Sequence, residues 1–177
     1  QKYCDITFGR KGSNSLLSGG YVIQNRGHIY PLIRVGQYSK IVGFTTVNMY
    51  SNGMNYNLPI GDVRMRIDRN SPKTISIQET PIEVSSSFTA MAENNAKAMG
   101  QSGIDPEYLK KSYEAIGKSM SPIVAAQGAK SEMMLQEMFA GSKMIYQQIA
   151  IQNTSVGSVP LQGLKSKYNE CMDHIKS

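Results

Sequence analysis

The segment YNLPIGDVRMRIDRNSPKTISIQ, residues 56–78, decides how the rest of the chain is read. Val63, Met65 and Ile67 alternate with Arg64, Arg66 and Asp68. A period of two marks a strand with one face in a core and the other in water. Arg69-Asn70-Ser71-Pro72 is a turn cluster, since Asn and Ser bond their own backbone and Pro presets φ. Beyond it Ile75 and Ile77 alternate with Thr74, Ser76 and Gln78, which predicts a second strand. Leu58-Pro59-Ile60-Gly61 punctuates the entry. The segment therefore predicts a β-hairpin. Its polar face carries Arg64, Arg66 and Asp68, with Arg69 and Lys73 at the adjoining turn.

Working outward, the chain before the hairpin reads as further strands. Residues 3–8 alternate, residues 10–20 are Gly/Ser/Asn-rich loop, and Tyr21-Val22-Ile23 is a short strand candidate. Asn25-Arg26-Gly27 is a turn, and residues 29–35 form a strand in which Pro31 favours an edge or a bulge. Residues 41–50 are rich in β-branched and aromatic residues and predict a central strand, closed by the turn signal Ser51-Asn52-Gly53. After Pro81 the composition turns to Ala, Met, Glu, Lys and Gln, good helix formers. Three helices are expected. One covers about 86–99. A second opens on Asp105 as N-cap with Pro106 behind it, shows Leu109, Tyr113, Ile116 and Met120 on one face, and breaks at Ser121-Pro122. The third covers 123–140 and ends at Gly141, with Met133, Met134, Leu135, Met138 and Phe139 apolar. A strand over 144–151 sets Ile145, Ile149 and Ile151 against Tyr146, Gln148 and Ala150. Leu161, Leu164, Tyr168, Cys171 and Ile175 then fall at helical spacing. The expectation is a single α+β domain over 1–177: an antiparallel sheet or sandwich with a helical insertion at 85–140 and a C-terminal helix. Phe88, Met91, Leu109, Ile116, Met134, Leu135 and Met138 are expected to pack the insertion on the sheet. The Met-rich stripe reads as core before it reads as a partner groove.

The chain has 177 residues, a net charge of +6 and two cysteines, Cys4 and Cys171. Its basic residues are scattered, which argues against a nucleic-acid patch. No apolar run approaches the roughly 18 residues of a membrane span. Two cysteines at opposite ends predict one disulfide and an oxidising compartment. Because Cys171 lies on the apolar face of the last helix, that bond staples the helix to the first strand. The sequence starts at Gln1 with no initiator Met, which fits either an exported protein whose signal peptide has been removed or a chain trimmed at its start.

Leu58-Pro59-Ile60-Gly61-Asp62-Val63-Arg64-Met65-Arg66-Ile67-Asp68 resembles a segment of the invasion-associated locus B family. So does the later run Met138-Phe139-Ala140-Gly141-Ser142-Lys143, strand, Val159-Pro160-Leu161-Gln162-Gly163-Leu164. A similar layout occurs in a type VI secretion-associated family of small envelope proteins. The resemblance implies an exported, non-enzymatic, β-rich protein of the bacterial envelope, periplasmic or secreted. This chain differs in its long helical middle and in having no cysteine between residues 5 and 170.

The chemistry-bearing residues point the same way. There are two histidines, His28 and His174, too few for a triad or a His-rich zinc site in ordinary arrangements. Gly9-Arg10-Lys11-Gly12-Ser13 has the lysine before the second glycine, the wrong order for a phosphate loop. Ser18-Gly19-Gly20 is no nucleophile elbow. No catalytic residue, metal ligand or cofactor is therefore expected. What remains is binding, through Arg64, Arg66, Arg69 and Lys73, to an acidic or mixed-charge protein partner. An immunity or inhibitor protein against a toxin or hydrolase is the leading reading. A virulence- or secretion-accessory factor is the second and a small hydrolase the third.

Overall fold

The computed structural model describes residues 3–8, 29–46, 48–51, 54–57, 59–81, 103, 105–149 and 156–177. Among these residues ten strands run in chain order: β1 (Tyr3–Thr7), β2 (Ile29–Gly36), β3 (Lys40–Thr46), β4 (Asn48–Ser51), β5 (Met54–Asn57), β6 (Val63–Ile67), β7 (Lys73–Ile75), β8 (Ile123–Gln127), β9 (Lys143–Gln148) and β10 (Gly157–Pro160). Three α-helices join them: α1 (Pro106–Met120), α2 (Gly128–Ala140) and α3 (Leu164–Lys176). Sheet I has the order β1-β2-β3-β8, sheet II the order β10-β9-β6-β7, and β4-β5 is a separate ribbon. All pairings are antiparallel, so the class is α+β.

The alternation read in the deciding segment is the alternation of β6. Val63, Met65 and Ile67 are buried and Arg64 and Arg66 exposed. The inner faces of both sheets meet α2 and α3 in one core. Ile33, Val42, Phe44 and Val124 come from sheet I, Val63, Met65, Met144 and Tyr146 from sheet II, and Met134, Leu135 and Met138 from α2. The Phe44 and Tyr146 rings, 4.9 Å apart and tilted, bridge the two sheets. Such a pair adds about 0.5–1.5 kcal/mol to the burial of the rings. Leu32, Ile41, Thr45 and Ala125 are also buried and project from the opposite face of sheet I, so the centre of that sheet is buried on both sides, while Asp5 and Thr7 at the β1 edge of that face are exposed.

Several expectations need correction. The stretch 85–140 is no purely helical insertion, because residues 123–127 form β8 and pair with β3 inside sheet I. Ile123-Val124-Ala125-Ala126-Gln127 lacks alternation because Val124, Ala125 and Ala126 are all buried, and such a strand looks like a helix in sequence. Gly128, at φ +65°, turns β8 straight into α2 in the left-handed region that glycine tolerates. Of the expected packing residues, Met134, Leu135, Met138 and Leu109 are buried, whereas Ile116 is 43% exposed. Phe88 and Met91, the helix at 86–99, the strand at 21–23 and His28 lie outside the described residues. β2 is an interior strand despite Pro31. Pro31 sits opposite Phe8, just past the end of β1, where its carbonyl still accepts from the Phe8 N–H at 3.4 Å. Only one ladder bond is missing, at a fraying end. The strand expected over 41–50 is divided between β3 and β4. The second strand of the deciding hairpin stops at Ile75, because Ser76 and Glu79 form a capping box around a 3-10 turn, Ile77–Glu79.

Candidate functional site

Sheet II turns one face to the core and leaves the other uncovered by any described element. Register fixes what lies on that face. Arg64 stands opposite Thr74 on β7 and Gln147 on β9, and Arg66 opposite Ile145. Ile145 in turn faces Ser158 of β10. The isoleucine face of the β9 alternation is the outer one, the reverse of what aliphatic burial alone favours: Met144, Tyr146 and Gln148 are buried, while Ile145 and Gln147 project outward and Ile149, just past the strand, is exposed. Two contacts set that phase. Tyr146 stacks on Phe44, and the buried Gln148 accepts the Gly61 N–H at 3.0 Å through Oε1. With that donor the buried amide oxygen avoids the roughly 1–3 kcal/mol cost of an unsatisfied buried acceptor.

The outer face therefore combines Arg64, Arg66 and Lys143 with Ile145, Ile149 and Val156. The last two are 54% and 61% exposed. Sequence reasoning missed Lys143, Ile145 and Ile149, and the only signal for them was the reversed phase. Arg69 is exposed in the turn after β6. Among the described residues, Arg64, Arg66, Arg69 and Lys143 make no ion pair. Lys40 pairs with Glu132, Lys73 with Glu137 and Lys130 with Glu79. Lys73 thus departs from the expected group. It stands opposite the inward-facing Met65, and its ammonium meets Glu137 of α2 at 2.6 Å, which anchors β7 to the helix. Asp68 departs as well. At φ +50° it leaves the strand, and its carboxylate accepts the backbone N–H groups of Ser142 and Lys143, each at 3.0 Å. That ties the β6–β7 turn to the start of β9, so Asp68 is not spent on neutralising Arg64 and Arg66.

Two other charged groups sit away from this face. Arg34 bonds Asp5 at 2.7 and 3.0 Å and lies over the Tyr3 ring at 4.6 Å. The Asp5 bond raises its already high pKa. The Tyr168 hydroxyl first, and then Glu132, hold Lys40 above the ordinary lysine value. Burial pushes the Tyr146 phenol up.

The remaining predicted pair is at the other end of the fold. Cys4 in β1 and Cys171 in α3 meet at disulfide distance, with Cα atoms 5.6 Å apart. No helix among the described residues is long and apolar enough to cross a membrane. A disulfide pair of this kind is compatible with a secreted or periplasmic setting. Comparison of the chain with protein-family models, curated proteins and solved structures finds no match.

Proposed function

We propose that this chain is an exported, non-enzymatic protein of the bacterial envelope that binds an acidic or mixed-charge protein partner, with an immunity or inhibitor role against a toxin or hydrolase as its concrete form. One observation carries the reading. Arg64 and Arg66 project side by side from a sheet face with Lys143 and Arg69 nearby and no carboxylate paired to them among the described residues, while Lys40, Lys73 and Lys130 each have one. Like charges held together gain nothing for folding, since even paired surface charges are worth only about 0–1 kcal/mol. They do supply steering and bidentate donors toward an acidic surface. Exposed Ile149 and Val156 give the same face an apolar component, as binding surfaces commonly have. The Cys4–Cys171 pair favours the exported setting.

The test compares wild type with the Arg64→Glu, Arg66→Glu double variant on a resin challenged with cell-envelope extract. A partner retained by wild type, eluted by moderate salt and lost from the variant supports the surface. Equal retention by both proteins refutes it. Stability should differ by no more than about 0.5 kcal/mol, as for surface substitutions away from caps and cores.

A further inference from the structure

The hydrogen-bond parity of sheet I separates its two edges. The Gly36 N–H donates to Ser39 at 2.7 Å, which makes residues 32, 34 and 36 of β2 the ones bonded to β3. Residues 31, 33 and 35 therefore bond β1, in agreement with the Phe8 to Pro31 bond. Cys4, Ile6 and Phe8 turn their peptide groups toward β2. Asp5 and Thr7 turn theirs away, to the edge that no described strand pairs.

At the far edge two outward N–H groups of β8 are closed. Ser121 Oγ accepts the Ile123 N–H at 3.1 Å, and Thr80 Oγ1 accepts the Ala125 N–H at 3.1 Å. At the outer edge of sheet II one of the two outward positions of β10, residue 160, is a proline with no N–H to offer, and the other is Ser158. Such devices keep strand edges from pairing with other chains. The N–H groups of Asp5 and Thr7 have no such acceptor among the described residues. They border a groove of about 590 Å³ between β1, the end of β10 and α3. Ile6, Phe8, Pro160 and Leu164 give it an apolar lining beside the cysteine pair, with Lys167 and Glu170 at its rim. The rim charges are already matched: Asp5 with Arg34 at 2.7 Å and Lys167 with Glu170 at 3.4 Å.

We propose that the β1 edge is a second interaction site, which captures an extended, uncharged peptide segment of another protein as an added strand of sheet I. The main-chain groups of Asp5 and Thr7 pair with its backbone. Apolar side chains at alternate positions enter the groove against Ile6, Phe8 and Leu164, because residues two apart share a face. A charged peptide is disfavoured, since the rim has no unmatched charge to receive it. This site is separate from the basic face of sheet II.

Amide hydrogen exchange on the intact, oxidised protein tests it, with the capped heptapeptide Ser-Val-Thr-Val-Ser-Val-Thr at millimolar concentration as probe. In the free protein the Asp5 and Thr7 amides should exchange quickly and those of Cys4, Ile6 and Phe8 slowly. The peptide should slow Asp5 and Thr7 at least tenfold. Thr7→Pro removes one outward donor without touching a bond to β2, and it should weaken binding at least tenfold. The same peptide N-methylated at alternate residues should fail on wild-type protein, which keeps the test decisive if Thr7→Pro does not fold. The Arg64→Glu, Arg66→Glu variant should bind the peptide as wild type does, so this site can fail or hold independently of the basic face. Slow exchange of Asp5 and Thr7 in the free protein, unchanged exchange with peptide, or undiminished binding of the methylated peptide overturns the proposal. A dimer of this chain that Thr7→Pro dissociates also overturns it, by giving the edge to a second copy.

Discussion

Opening the Cys4–Cys171 link should cost this protein about as much stability as any single change can. The two residues are 167 positions apart, so the bond closes nearly the whole chain into one loop. In the loop-entropy model, a closure of this length removes enough freedom from the unfolded chain to be worth about 5 kcal/mol. A domain of this kind has roughly 5–15 kcal/mol in all. With a guanidinium m-value of roughly 4–6 kcal/mol per molar for this size, the unfolding midpoint should fall by about 1 M on reduction. The m-value should rise, because the reduced unfolded chain is more expanded. The assay is guanidinium unfolding followed by circular dichroism, with and without reductant, on wild type and on the Cys4→Ala, Cys171→Ala variant. Mass spectrometry after alkylation of the unreduced protein supplies the check on chemistry, and no alkyl group should be added. Superimposable unfolding curves with and without reductant, or two alkyl groups on the unreduced protein, would refute the reasoning.

Two further outcomes follow from the core. Leu135 is fully buried in α2, so Leu135→Ala should destabilise by about 2–5 kcal/mol in chemical denaturation, and a loss below 1 kcal/mol would mean that the helix does not seat on the sheets as described. Stability should also fall from about pH 10 upward. Tyr146 and Lys40 both have folded pKa values above their ordinary 10.0 and 10.5, so their contribution is present below those values and is lost as the pH rises through the folded ones. Tyr146→Phe should flatten part of that alkaline fall in a pH series of thermal melts, and an unchanged slope would exclude Tyr146 as its source.

The parts of the fold that were legible in the sequence are those where burial is one-sided. β6 shows its period of two because one face is wet, and α3 shows Leu164, Tyr168 and Cys171 at helical spacing for the same reason. α1 announced its start through Asp105, whose carboxylate accepts the Glu107 N–H at 3.0 Å, and through Pro106. β8 was illegible because Val124, Ala125 and Ala126 are all buried, which removes the alternation that distinguishes strand from helix. Ser76 and Glu79 did carry a readable capping signal, but the alternation of Ile75 and Ile77 overrode it.

The phase of β9, which the alternation leaves open, has the greatest functional weight. Aliphatic burial alone favours the three isoleucines inward, on the rule that aliphatic side chains leave water first. The strand instead buries Tyr146 and Gln148, because each has a partner waiting: Phe44 across the core for the ring, and the Gly61 N–H for the amide. Those partners are distant in sequence, so no local pattern reports them. The consequence is an outer face on which Ile145 sits directly beside Arg66. An Arg pair with aliphatic neighbours is more adhesive than an Arg pair in water, since the neighbours exclude solvent once a partner arrives and strengthen the charge contacts they surround. The basic hairpin read from sequence alone is thus a charge pattern, and the reversed strand next to it supplies the apolar half of the proposed binding surface.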